Sequence, residues 1–318
     1  MKKIIFVIAL AFTSLIAGAA PKEAQIKPSG TYEYAQRDSC KLFLDIYNPT
    51  KGSETVYKYK TKPTVLFMFG GGFKSGARNE DYFKEWFKAL CDEGYRVVSI
   101  DYRLGLKGST NAGVNKQFVE ELDNAINLAV EDLYSATLWL IEHGEKYGID
   151  PQNIVLSGSS AGAISVLEAE WMICNGKSLA QVLPKGFNYA GVMAFSGAIF
   201  SRDGAIKFQM EPCPILLFHG TIDKIVPYGQ MALFNLRFAG SNQIALALKN
   251  SKYNYSIYRF YNHSHEIATS MMVNFPQEDF FLKENILKGT RRIVDATVDD
   301  ERIKIPDWAK GDYKNLYK

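Results

Sequence analysis

The strongest constraint on how this chain can fold is a set of short apolar runs separated by stretches of helical spacing. The runs are TVLFMF at 64–69, RVVSIDY at 96–102, GVMAF at 191–195 and PILLF at 214–218. A fifth, Ile154 to Leu156, leads into Gly158-Ser159-Ser160-Ala161-Gly162. Nearly continuous apolar strands of this length suit a parallel sheet covered on both faces. Between them, residues 81–91 place Phe83, Trp86, Phe87 and Leu90 on one helical face. Residues 114–147 carry long helical character with Leu128, Leu133, Trp139 and Leu140 as core candidates, and 161–173 form a third helix. Residues 41–47 alternate like a strand that Asn48-Pro49 stops, and 253–260 form an aromatic-rich strand ending at Asn262. The expected class is α/β, a mostly parallel central sheet flanked by helices.

At 318 residues and 47% hydrophobic composition, the chain supports a large core in one domain. Lys2-Lys3, an apolar run over 4–16 and Ala17-Gly18-Ala19 make a basic start, an apolar middle and a small-residue exit. That pattern predicts a cleaved signal peptide over 1–19 and a periplasmic or extracellular location without a stable membrane anchor. A leader over 20–40, the main α/β domain over 41–285 and a C-terminal extension over 286–318 packed on the domain complete the expected organisation. Within the extension, 292–298 are strand-like. Residues 104–121, rich in Gly and Asn, read as a loop insertion. Without Lys2 and Lys3 the formal charge falls from +3 to +1, with no footprint for nucleic acid. Cys40, Cys91, Cys174 and Cys213 form no C-x-x-C or Cys/His cluster, so no zinc site is expected. Export permits a disulfide among them, but the spacing selects no pair.

A serine at the centre of G-x-S-x-G, between a strand and a helix, is displayed on a strained turn whose neighbours must lack bulk. Only Ser160 is centred; the same frame on Ser159 puts Ala161 at the second glycine. A serine hydroxyl needs a base, and the base an orienting acid. Four histidines are available. His143 sits on the helix before the nucleophile strand and reads as a surface residue. His219 ends the strand at 214–218, and His263 and His265 follow the last strand. Asp223, just past a buried strand, can reach a histidine in the next strand's loop; the plainer reading is a cap or a pair with Lys224. Asp203, in a turn, is the rival acid. Gly70-Gly71-Gly72 after a strand lets backbone amides approach a substrate, with Gly71 or Gly72 supplying one oxyanion donor and the Ala161 amide the other.

Together these pieces resemble the α/β-hydrolases of the esterase and lipase type, close to the hormone-sensitive-lipase-like and secreted carboxylesterase groups. The likeness spans roughly residues 41–280 and includes Asp101-Tyr102-Arg103-Leu104 and Asp132 upstream of Gly148-Ile149-Asp150-Pro151. In that family the nucleophile, acid and histidine follow in that order. The resemblance therefore implies Ser160, Asp223 and a histidine after Asp223, with His265 of Asn262-His263-Ser264-His265-Glu266 in register. It gives Asp132 and Arg103 architectural roles only. One departure stands out: such esterases usually carry histidine before the triple glycine, where this chain has Phe69. That histidine orders the oxyanion loop through hydrogen bonds.

The resemblance implies a secreted serine carboxylic-ester hydrolase with no metal or organic cofactor. Its substrates would be small-molecule or polysaccharide-linked esters; Phe73, Tyr228 and Tyr261 could line a sugar or acyl site, although such aromatics are more often plain core or rim. A prolyl-type peptidase is the alternative chemistry, although no length is left for its propeller. A non-catalytic binding module of the same fold is the alternative class.

Overall fold

The computed structural model describes residues 25–37, 40–50, 62–109, 115–202, 204–234, 236–301 and 303–311. The expected signal peptide and Asp203 lie outside the described residues. The strands, in chain order, are β1 (Gly30–Arg37), β2 (Cys40–Tyr47), β3 (Thr64–Met68), β4 (Arg96–Ile100), β5 (Ile154–Ser159), β6 (Gly191–Phe195), β7 (Ala198–Ser201), β8 (Ile215–Gly220), β9 (Gln230–Leu233), β10 (Leu236–Gly240), β11 (Ser256–Phe260) and β12 (Val294–Val298). The helices are α1 (Asp81–Asp92), α2 (Lys116–His143), α3 (Ala161–Cys174), α4 (Ser241–Asn250) and α5 (Met271–Phe281).

Among the described residues, nine strands form one sheet in the order β1-β2-β4-β3-β5-β6-β8-β11-β12. Pairing is antiparallel from β1 through β2 to β4 and parallel from β4 to β12. A smaller antiparallel sheet runs β7-β10-β9. The central parallel strands β3, β5, β6 and β8 are buried along their whole length. This is why they are apolar throughout rather than alternating. The face of α1 that carries Phe83, Trp86 and Phe87 packs its rings on Phe67 of β3. On α3 almost every residue is buried, because α3 lies between the sheet and α2. The start of α2 is fixed by Asn115, whose side chain accepts the Phe118 amide at 2.8 Å.

The sheet reaches beyond the expected 41–285 span at both ends. β1 lies in the stretch read as a leader, and β12 in the stretch read as an extension packed on the domain. β12 pairs in parallel with β11 from Ser256↔Val294 to Phe260↔Val298, so it extends the sheet itself. The long helix begins at Lys116, inside the 104–121 segment expected to be loop. Its core is set by Leu133 and Leu140, while Leu128 and Trp139 are half-buried. β4 stops at Ile100, which leaves Asp101 to Leu104 free to turn. There the backbone and guanidinium of Arg103 donate to the fully buried Asp132 at 2.8–3.1 Å. That pair ties the end of β4 to α2.

Candidate active site

In a parallel sheet, side chains gather at the C-terminal strand ends. Here β3, β5, β8 and β11 bring four loops to one edge. Ser160 caps α3 directly after β5 with φ 50° and ψ −115°, a backbone that an L residue rarely adopts. The two glycines that flank it are required. A Cβ on Gly158 would lie 2.4 Å from the carbonyl of Gly162, and one on Gly162 would lie 2.1 Å from the Met68 oxygen. The Ser160 amide donates to the Phe195 carbonyl at 2.9 Å, which clamps the turn to β6. Ser159 points elsewhere: it is buried and its hydroxyl donates to the Ala268 carbonyl at 2.7 Å.

The loops after β8 and β11 are laced together. The Thr221 amide donates to Phe260, the Ile222 amide to His263 and the Asn262 amide to the Thr221 hydroxyl. A Cβ on Gly220 would lie 2.3 Å from the carbonyls of both His263 and Ser264, so only glycine lets the loops approach this closely. The result is a relay. Ser160 Oγ is 2.8 Å from His265 Nε2, and His265 Nδ1 is 2.7 Å from Asp223 Oδ2. The second oxygen, Asp223 Oδ1, accepts the amides of Ile225 and Val226 at 2.9 and 3.0 Å. Burial raises the Asp223 carboxyl, but the charge of His265 and the donors on His219 and His265 outweigh it. They hold it well below the usual carboxylate range. An ionised acceptor fixes the hydrogen of His265 on Nδ1, leaving Nε2 as acceptor for the Ser160 hydroxyl.

The other histidines separate cleanly. His263 Nδ1 faces Glu266 at 2.8 Å and its Nε2 faces the Asp300 carbonyl at 3.1 Å, so it holds the chain after β12. His143 stacks on Trp139 at 4.6 Å, far from the strand ends. His219 is completely buried in β8, with Nε2 3.3 Å from Asp223 Oδ2, a contact that reading it as a strand end did not anticipate.

A cavity of about 420 Å³ opens over Ser160 and His265 and includes Gly70, Gly71 and Gly72. A Cβ on Gly70 would meet Ser160 Cβ at 3.2 Å, so the glycine loop runs against Ser160. Gly71 and Gly72 have φ 117° and 62°, and the Gly71 carbonyl accepts the amides of Lys74 and Ser75. Ala161 is the first residue of α3, where helix amides have no intrahelical acceptor and the helix dipole is positive. The position that holds Phe69 instead of histidine is ordered by other means. Its ring stacks on Tyr102 at 4.5 Å, and the Tyr102 hydroxyl donates to the Phe69 carbonyl at 2.9 Å. Leu106, from the segment expected to be an insertion, donates its amide to Phe73 at 2.9 Å and props the loop from below.

None of the three aromatics is among the cavity's lining residues: Phe73 is core, Tyr228 lies beside His219 and Tyr261 is exposed, as the plainer core-or-rim reading has it. Tyr82, Phe83 and Trp308 line the cavity instead. The Tyr82 hydroxyl donates to the Thr269 carbonyl. Trp308 stands edge-on to His265 at 6.4 Å, held by Ser264 Oγ donating to the Ala309 carbonyl at 2.6 Å.

The model of the family BD-FAE matches residues 44–170, and that of the Phospholipase/Carboxylesterase family matches residues 120–276. Esterase 2 of Thermogutta terrifontis superposes with TM-score 0.56 at 21% identity, covering 83% of this chain and 97% of that one. The chain has an α/β-hydrolase fold. The same neighbour phosphoramylated by tabun superposes with TM-score 0.57 at 20% identity, again covering 83% and 97% of the two chains. Among curated relatives, secreted lipase 5 of Gibberella zeae is 30% identical over 146 residues, 43% of this chain and 26% of that protein. Carboxylesterase 5A of Ovis aries is 31% identical over 158 residues, 50% of this chain and 35% of that protein. The chain thus spans 26% and 35% of these two relatives.

Proposed function

We propose that this α/β-hydrolase is an exported serine esterase that cleaves carboxylic esters through an acyl-enzyme. The observation that carries the reading is the relay from Ser160 through His265 to Asp223 at the floor of an accessible cavity. In the proposed cycle, His265 Nε2 takes the hydroxyl proton as Ser160 Oγ adds to the ester carbonyl. Asp223 accepts the Nδ1–H and stabilises the imidazolium. The amides of Gly71 or Gly72 and of Ala161 receive the oxyanion. Collapse returns the proton to the departing alcohol and leaves an ester on Ser160. Water, deprotonated by His265, then releases the acid and restores the serine. The similarity to a secreted lipase and a carboxylesterase agrees with this chemistry and with export.

Because the reading depends on the glycine loop, Tyr102→Phe tests the loop's support. The ring stack survives, but the buried Phe69 carbonyl loses its donor. We expect a loss of about 1–2 kcal/mol in unfolding free energy, measured by urea titration. We also expect kcat for p-nitrophenyl acetate to fall about tenfold with KM little changed, because the oxyanion donors act in the transition state. Wild-type kcat in the variant would show that the hydroxyl does not order the donors.

The alcohol moiety we favour is a neutral sugar. Trp308 and Tyr82 are 54% and 58% exposed at the mouth of the cavity, so both rings are available to a flat apolar sugar face. Glu80, in the same lining, offers a carboxylate to hydroxyl groups and repels anionic substrates. Trp308→Ala is expected to raise KM for an acetylated xylo-oligosaccharide about tenfold, consistent with an aromatic contact of about 1.4 kcal/mol. The same variant should change p-nitrophenyl acetate hydrolysis less than twofold. Equal losses on both substrates would remove the sugar assignment while leaving the esterase reading in place.

A further inference from the structure

His219 is the histidine left without a role by the relay, yet it is the most deeply enclosed of the four, with no exposed surface. Its Nε2 faces two oxygens that can only accept, the Val226 carbonyl at 3.0 Å and Asp223 Oδ2 at 3.3 Å. Nε2 must therefore carry a hydrogen. Its Nδ1 is 2.8 Å from the Ser241 hydroxyl at the start of α4. The competing acceptor for that hydroxyl, the Gly197 carbonyl, is at 3.5 Å, so the shorter contact is the one Ser241 makes as donor. With Nδ1 accepting from Ser241, the ring hydrogen sits on Nε2.

We propose that His219 is a positioning residue for the reaction, resting on the esterase reading above. Its one N–H is shared between the Val226 carbonyl and the oxygen of Asp223 that also serves His265. The first contact closes the turn that displays Asp223. The second occupies a lone pair on Oδ2, which fixes the carboxylate's rotation and moderates its basicity toward His265. Asp223 thus receives donors on all sides: two amides on Oδ1 and two imidazoles on Oδ2.

Few other charges face this ring. Tyr228 lies edge-on at 5.7 Å. Arg259 of β11 is in register beside His219 but pairs with Asp295. The histidine loop contributes His265, α4 the uncharged Ser241, and β6 no titratable side chain. The sign of the effect follows. Removing the Nε2–H leaves Asp223 Oδ2 a stronger acceptor, so the protonated form of His265 is better stabilised. A base that holds its proton more tightly is withdrawn from catalysis at higher pH.

The test is the pH profile of kcat/KM on p-nitrophenyl acetate for the full chain. His219→Leu is expected to move the acidic limb upward by about half to one pH unit. It should lower kcat about 10- to 100-fold through loss of carboxylate placement, with KM within twofold. His219→Gln, which can return an N–H to the same place, should recover most of both. A folded His219→Leu with the wild-type profile and kcat overturns the proposal. If that variant does not fold, Ser241→Ala decides, because it frees the tautomer without emptying the site. A smaller upward shift supports the proposal and an unchanged profile overturns it. A wild-type protein that neither hydrolyses the ester nor reacts with a fluorophosphonate overturns the esterase reading and this inference together. An active wild type with unaffected variants overturns only the role of His219.

Discussion

Ser160→Ala is expected to lower kcat for short p-nitrophenyl esters by about 10⁵-fold while leaving the protein folded. The hydroxyl's one partner in the relay is His265, at 2.8 Å. Deleting it leaves the Asp223 pair and the clamp of the Ser160 amide on Phe195 intact. What remains is binding and oxyanion stabilisation, which in serine hydrolases leave a small residual rate. Stability should hardly move, because alanine inherits the same φ of 50°. Ser160→Gly sharpens the point. Glycine occupies that backbone region without penalty, so it should be equally inactive but more stable, by about 1 kcal/mol. Thermal melting measured beside activity separates the two effects. An alanine variant that keeps its activity would remove Ser160 from the chemistry.

Asp223→Asn is expected to cost about 10³- to 10⁴-fold in kcat, the second largest effect. The amide is nearly isosteric, so the acceptance of the Ile225 and Val226 amides on Oδ1 survives. At the other position an NH₂ meets His265 Nδ1 and His219 Nε2, so a donor now faces two ring N–H donors where the carboxylate oxygen accepted. His265 can answer only by moving its hydrogen to Nε2, the atom that must accept from Ser160. Because the wild-type carboxyl is held well below the usual range, it stays ionised across the working pH. The defect in the variant should therefore be nearly independent of pH above 5. A recovery at alkaline pH would point to a charge effect rather than a tautomer.

Much of this architecture was legible because burial on both faces writes itself into composition. β3, β5, β6 and β8 are buried throughout and stand out as apolar runs. β1 was not legible: GTYEYAQR alternates between half-buried and exposed at an antiparallel edge and reads as a polar leader. β12 had a visible strand pattern, but its parallel pairing to β11 is a long-range choice that no local pattern encodes. α5 contains Pro276, which breaks the usual helix signal. At the site, Ser160 and Asp223 announce themselves through local turn chemistry. The choice between His263 and His265 rests on where each ring points, and only packing determines that. His219 and Trp308 were invisible as site residues for the same reason: one reaches Asp223 from inside a strand, the other returns to His265 from beyond β12. Tyr102 stood in a recognised motif, but its support of Phe69 follows from β3 and β4 lying side by side.

The central claim is that Ser160 is a nucleophile activated by His265 and Asp223. Intact mass and peptide mapping after reaction with a fluorophosphonate test it most directly. The account predicts one adduct per chain, on Ser160, absent from Ser160→Ala and formed far more slowly in Asp223→Asn. No adduct on the wild-type protein, or an adduct carried by Ser159 or another serine instead, would contradict it.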